Sequence, residues 1–307
     1  MSKIFTVQNN VIGKIKYLTE TWAGGVYSDI YCDGTYIFVA CGTSGLRVYS
    51  FNGTSFTLID TDYQGGTYNG VGGNGTYIFA ACQEGLRAYS FNGSVLTHIT
   101  LKQQWSEAYQ LVTANNVGQV FGVETASIIG YTFNGTTFST AKVRFISGNY
   151  FVGIWCNDTY ILGAKENNGL YVHTFDGTTW TQIANITSSV PSNGVWSGGS
   201  YIYVATGERG IGVFSFNGST LSLVMNRAQG TTPSDPLGIW GDGKYVYVAQ
   251  DTFGLANYTQ DSNVVPQDTN LWSVDNGINK ITGDGTYIYA VKPSGLLAYK
   301  LYENYNT

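Results

Sequence analysis

The sequence predicts an all-β fold, a seven-bladed β-propeller of four-stranded antiparallel blades, on three observations. One unit of 41 to 44 residues is written seven times, each copy divides into short strands joined by tight turns, and the two chain ends supply complementary parts of the last copy. The unit reads roughly G-T-Y-I-[FY]-V-A, then G-L-x-x-Y-S-F-N-G. Its copies begin at Tyr36, Tyr77, Gln119, Tyr160, Tyr201, Tyr245 and Tyr287, spaced 41, 42, 41, 41, 44 and 42 residues apart. A period in the low forties is that of one propeller blade.

Within each unit the first strand is short and apolar, with Ile30, Val71, Ile154, Val195, Ile239 and Ile281 in one column. The second is the Y-I-F-V-A run. The third alternates, with Leu46, Val48 and Ser50 against Arg47, Tyr49 and Phe51. The fourth carries Phe56, Leu96, Phe138, Trp180 and Leu221 in register. Alternation of β-branched and aromatic residues with polar ones is the strand signature, and no helical period competes with it. Asn52-Gly53, Asn92-Gly93, Asn134-Gly135, Asp176-Gly177 and Asn217-Gly218 separate third from fourth strands. Asp33-Gly34, Asn74-Gly75, Asp242-Gly243 and Asp284-Gly285 separate first from second. Such pairs suit hairpins because the turn demands positive φ.

The last copy ends soon after its third strand. Residues 15–30 align without gaps to residues 56–71, with Ile15 on Phe56, Trp22 on Tyr63 and Ile30 on Val71. The N-terminal segment is thus a fourth strand without a blade of its own. Residues 12–19 are expected to pair with the edge of the last blade and close the ring, which covers an otherwise open strand. The domain reading is an arm over residues 1–11 and one propeller over 12–307.

Charged residues make up only 11% of the chain, against about 25% in an average soluble domain. The net charge of -5, with 15 basic residues and no basic run, argues against nucleic acid as a partner. No stretch approaches the roughly 18 apolar residues of a membrane span. The first ten residues carry one lysine and no apolar run of signal-peptide length, so synthesis in the cytoplasm is expected, with a virion or cell surface as an end point. Cys32, Cys41, Cys82 and Cys156 form no C-x-x-C pair and read as reduced, packed thiols.

Residues 34–49, G-T-Y-I-F-V-A-C-G-T-S-G-L-R-V-Y, and residues 199–214, G-S-Y-I-Y-V-A-T-G-E-R-G-I-G-V-F, resemble propeller repeats of the LVIVD/YVTN-like type. The L-V-I-V-D string itself is absent; L-R-V-Y-S or I-G-V-F-S stands in its place. The resemblance implies the fold, in a group that holds surface, adhesion and scaffold proteins as well as enzymes.

No catalytic residue, metal site or cofactor is expected. His173 stands in the third-strand column of Tyr49, Tyr89, Tyr131, Phe214, Tyr258 and Tyr299, so it replaces a structural aromatic. His98 lies on another blade, in an outer-strand column, and reads as a partly exposed surface residue. Asp60-x-Asp62 lacks the further oxygen ligands of a calcium loop. The N-G-[ST] sequons at Asn52, Asn74, Asn92, Asn134 and Asn217 follow from the repeated turn.

Loop length is the asymmetry that points to function. Two classes of turn are tight, whereas the blade-to-blade links at 60–70, 101–111, 143–153, 185–194, 226–238 and 262–278 are long and divergent. Loops on a rigid scaffold carry recognition. Trp105, Tyr109, Tyr150, Phe151 and Trp272 on these links are the candidate binding residues, because aromatics offer area at low entropy cost. Trp22, Tyr63 and Trp105 share a repeat column, which suggests blade packing. Trp155, Trp196 and Trp240 share a first-strand column and are expected near the central channel. The expected function is a non-enzymatic protein-interaction or structural module, such as a surface or virion-decoration component, with a protein partner or larger assembly. A carbohydrate-binding, lectin-like propeller is the alternative, and an enzyme with a site at the channel mouth the third reading.

Overall fold

The computed structural model describes residues 14–103, 108–124, 126–139, 143–146, 150–166, 169–187, 192–206, 210–228, 236–250, 254–260, 266–268 and 277–302. These form 28 strands in seven antiparallel four-stranded sheets, with no helix among the described residues. In six sheets the strands follow chain order. In the seventh, the strand Lys14–Thr21 pairs with Gly295–Tyr302, the third strand of the last blade. The first strands, Asp29–Cys32, Tyr68–Gly73, Leu111–Ala114, Phe151–Cys156, Ser192–Gly198, Pro236–Gly241 and Lys280–Gly283, stand side by side around the axis.

Seven apolar clusters hold the ring, one at each blade junction. The cluster that joins the last blade to the first contains Ile30, Val39 and Tyr49 from one side and Tyr289, Val291 and Leu296 from the other. A tyrosine just before the second strand meets, edge-on, a phenylalanine at the end of the third strand of the next blade at four of the junctions. The pairs are Tyr36–Phe91 at 4.9 Å, Tyr77–Phe133 at 5.1 Å, Tyr160–Phe216 at 5.1 Å and Tyr287–Phe51 at 5.0 Å. Each such pair contributes about 0.5–1.5 kcal/mol beyond its buried area. The last of them crosses the closure, so blade 7 grips blade 1 as any blade grips its neighbour.

The closing strand behaves as a true fourth strand. In blades 1, 2, 4 and 5 the third and fourth strands share one bulge, between Val48 and Tyr49, Ala88 and Tyr89, Val172 and His173, and Val213 and Phe214. The same irregularity recurs between Tyr17 and Thr19, opposite Tyr299 and Ala298. A bulge sharpens twist, so its repetition lets these outer strands follow one curvature. Among the described residues the pairing strand runs over Lys14–Thr21, two residues past the expected end at 19. Outer strands continue until the whole third strand is paired, which also shortens the links: the fourth strand of blade 1 ends at Asp62 and the next strand starts at Tyr68. Residues 1–11, read as an arm, lie outside the described residues.

The turn chemistry explains the sequons. Asn52 Oδ1 accepts the backbone N–H groups of Thr54 and Ser55 and the Thr54 hydroxyl, at 3.0, 2.9 and 2.9 Å. Gly53 takes φ +93°, which a side chain would strain. Asn92, Asn134, Asp176 and Asn217 repeat the arrangement. The Ser or Thr after Asn-Gly therefore completes an Asx turn.

Candidate functional site

Antiparallel order puts the blade-to-blade links and the second-to-third strand turns on one face and both hairpin turns of each blade on the other. The links into blades 1 and 2 are more structured than their length suggests. Arg47 lies buried beneath the link into blade 1. Its guanidinium donates to Gly24 O at 2.6 Å, Ala23 O at 3.0 Å and the Tyr27 hydroxyl at 3.2 Å. Arg87 does the same beneath the next link, donating to Gln64 O at 2.9 Å, with Glu84 at 3.6 Å. Both guanidiniums also lie over a tyrosine ring, Tyr27 and Tyr68. Each ring ends in a hydroxyl pair, Tyr27–Tyr49 at 2.7 Å and Tyr68–Tyr89 at 2.8 Å.

This arrangement places the sequence-predicted residues. Tyr109 is 0% exposed and shares a 2.9 Å hydroxyl pair with Tyr131, the third of the series; Phe151 is 4% exposed and packs on Tyr171. Both rings sit inside the blades and offer no surface to a partner. In blades 1 to 4 the aromatic at the entry to the first strand, Tyr27, Tyr68, Tyr109 and Phe151, turns inward to fill the junction. Tyr150 is 56% exposed, and Trp105 and Trp272 lie outside the described residues. Trp22 and Tyr63, which the shared column assigns to packing, are instead 63% and 53% exposed, beside Val26 at 57%. The Trp22 indole is tied by its own N–H to Gly25 O at 3.2 Å, so the ring is held at the surface.

The first strands enclose an axial channel of about 340 Å³. Among the described residues Asp29 and Lys280, on adjoining blades, are the two charged residues of its wall. Asp29 Oδ2 accepts the Val71 N–H at 3.0 Å. Burial pushes the Asp29 pKa up, and Lys280 and the backbone donors pull against it. Trp155, Trp196 and Trp240 line the channel as expected, but the rings of the last two lean onto neighbouring blades. Trp196 lies across Gly241 and Trp240 across Gly283, so tightly that a Cβ on either glycine would overlap the indole.

On the hairpin face, two pockets open between blades in equivalent positions of the repeat. One, of about 190 Å³ between blades 4 and 5, includes Trp155, Asn157, Tyr160, Ser200 and Tyr201. The other, of about 280 Å³ between blades 6 and 7, includes Trp240, Asp242, Tyr247, Tyr287 and Lys300. In each the acid or amide stands two residues after the tryptophan and is fixed by its own turn. Asn157 Oδ1 accepts the N–H groups of Thr159 and Tyr160 at 2.9 and 2.7 Å. Asp242 Oδ1 accepts those of Lys244 and Tyr245, and Oδ2 the Tyr247 hydroxyl at 2.7 Å. Indole beside Asx is a signal the sequence carries as W-C-N and W-G-D.

Other reactive groups serve the fold. The two histidines stand on separate blades: His173 is buried among Tyr171 and Trp180, and His98, half-buried, packs on Tyr89. Burial pushes the thiols of Cys32, Cys41, Cys82 and Cys156 up to about 12. Asp60 Oδ2 accepts the Leu96 N–H at 2.7 Å and so clips one outer strand to the next blade. Among the described residues no group of His, Cys, Asp and Glu could hold a metal ion.

Burial holds the His173 imidazole down at about 4. The folded protein keeps it neutral above that pH, whereas the unfolded chain protonates it below about 6.5. Unfolding therefore takes up a proton between pH 6.5 and 4, and stability falls as pH falls through that window. Replacement His173→Phe should remove this component, worth up to about 3 kcal/mol. Urea midpoints at pH 7 and pH 4.5 check it: a wild-type pH slope that the variant retains in full contradicts the assignment.

No known protein-family model matches this chain, and a search of curated proteins returns no match. Among the described residues no helix is long and apolar enough to cross a membrane.

Proposed function

We propose that this chain is a non-enzymatic protein-interaction or structural module that meets its partner through the link face. The supporting observation is the exposure of Trp22, Val26, Tyr63 and Tyr150 on links, of which the first two are anchored from beneath by Arg47 and Arg87. Aromatic groups presented by an ordered loop lose little entropy on binding, which favours contact energy over ordering cost. A place on a virion or cell surface fits the low charge and the Asn-, Thr- and Tyr-rich composition. Kinship with LVIVD/YVTN-like repeats rests on the repeat units alone.

The test is cross-linking of the native assembly, followed by affinity measurement with the recovered partner. Trp22→Ala, Tyr63→Ala and Tyr150→Ala should each weaken binding by roughly 30-fold, about 2 kcal/mol, where the ring is buried in the interface. Unfolding midpoints should move little, since these rings are exposed. Contacts confined to the hairpin face or the outer strands, or recovery of monomer alone, would overturn the assignment. A second reading, carbohydrate binding, draws support from the two indole-and-Asx pockets of the opposite face.

A further inference from the structure

We infer that the pockets at the 4/5 and 6/7 junctions are saccharide subsites, each taking one neutral pyranose ring; the inference rests on the carbohydrate reading and adds a place and a ligand class to it. At about 190 and 280 Å³ both fall below the ~300–1,000 Å³ of sites for drug-sized ligands, which suits a single small ring. Each offers an indole and tyrosine rings, flat apolar surfaces against which the C–H face of a pyranose can lie.

Their polar groups decide among ligand classes. Asn157 has its Oδ1 committed to its own turn, so its Nδ2 is left to donate to a ligand oxygen. In the other pocket Asp242 is oriented by three donors and keeps acceptor capacity, while Lys300 supplies a donor. An anionic ligand would meet the Asp242 carboxylate. A cationic one would find no acid among the residues around Asn157. A purely apolar one would cover the Asn157 amide and leave it without a hydrogen-bond partner. A sugar hydroxyl both donates and accepts, so a neutral polyhydroxylated ring satisfies both sets.

The 5/6 junction shows what the pockets require. There the sequence reads Trp196-Ser197-Gly198, with glycine where the other two have Asn157 and Asp242. The Trp196 ring lies across Gly198 as well as Gly241, occupying the space an Asx side chain would need. The chain therefore carries two competent junctions and one closed copy of the same design.

The closed copy is the internal control for a test. The full chain is labelled with 5-fluorotryptophan, and its seven tryptophan signals are assigned by single Trp→Phe variants. Glucose, galactose, mannose and N-acetylglucosamine are then titrated separately into the millimolar range, where a ligand of this size with a few hydrogen bonds binds, at about 1 mM. The expected result is saturable ¹⁹F shifts at Trp155 and Trp240 with at least one sugar, and none at Trp196 or Trp22. Ser200→Tyr, at an exposed turn, should abolish the Trp155 response and spare that of Trp240. Saturable shifts at Trp22 alone would keep carbohydrate binding but move it to the link face, overturning the subsites. No response to any of the four sugars would overturn the subsites and the carbohydrate reading together.

Discussion

Removal of residues 1–21 is expected to lower the thermal unfolding midpoint by roughly 10 °C or more, whereas removal of residues 1–9 should leave it nearly unchanged. The strand Lys14–Thr21 pairs along the third strand of blade 7, from Lys14 opposite Tyr302 to Thr21 opposite Leu296. Ile15 is buried in the 6/7 cluster with Tyr245, Leu255 and Leu297. Glu20, half exposed, meets the largely covered Lys292 at 2.8 Å, and solvent at the carboxylate keeps the contribution of the pair small. Losing the Ile15 side chain alone would cost about 2–5 kcal/mol. Losing the strand also strips the ladder bonds and leaves Gly295–Tyr302 as a bare edge, so concentration-dependent aggregation should accompany the drop. The shorter deletion removes none of this pairing. Differential scanning calorimetry on both truncations decides it: equal midpoints would show that the ring does not depend on the terminal strand.

The fold was legible because a propeller repeats its physics at every blade. The Ile30 column became the ring of first strands, and the Asn-Gly pairs became turns, because each is needed in nearly every copy. Even the closing strand could be read, since Ile15 keeps the position of Phe56 and pairs with Leu301 as Phe56 pairs with Phe51. The surface was harder. Tyr27, Tyr68, Tyr109 and Phe151 recur at one link position and point inward, whereas Trp22 and Tyr63 recur five residues earlier and point outward. Periodicity marks what the repeat needs geometrically, and it does not tell the two sides of a link apart. What separates them is an interior partner. Tyr27 and Tyr68 have an arginine over the ring and a tyrosine at the hydroxyl, and Trp22 and Tyr63 have neither. The alternation of the third strand shows Arg47 as a polar residue among apolar ones, but not that its reach ends on backbone carbonyls of the preceding link.

Replacement of Arg47 by methionine is expected to cost about 2–4 kcal/mol and to loosen the link that carries Trp22. Methionine keeps much of the apolar stem, so the loss isolates the guanidinium. The carbonyls of Ala23 and Gly24 lose their charged donor, and the Tyr27 hydroxyl keeps its bond to Tyr49 but loses its cation. Hydrogen bonds to a charged group contribute about 1.5–3 kcal/mol each, and water reaching the loosened carbonyls recovers part of that. Lysine at the same position is a point donor that cannot span two carbonyls and a hydroxyl, so Arg47→Lys should fall between wild type and Arg47→Met. Urea midpoints measure the stability term. Hydrogen exchange over residues 22–27 measures the local one and should rise in Arg47→Met beyond what the global loss explains. If a partner docks on Trp22, the variant should also bind it more weakly while Trp22 itself is intact, because the ring then has to be ordered at the moment of contact. Exchange over residues 22–27 that merely follows global unfolding would show that the link keeps its shape without Arg47, and the guanidinium would then have no part in presenting that face.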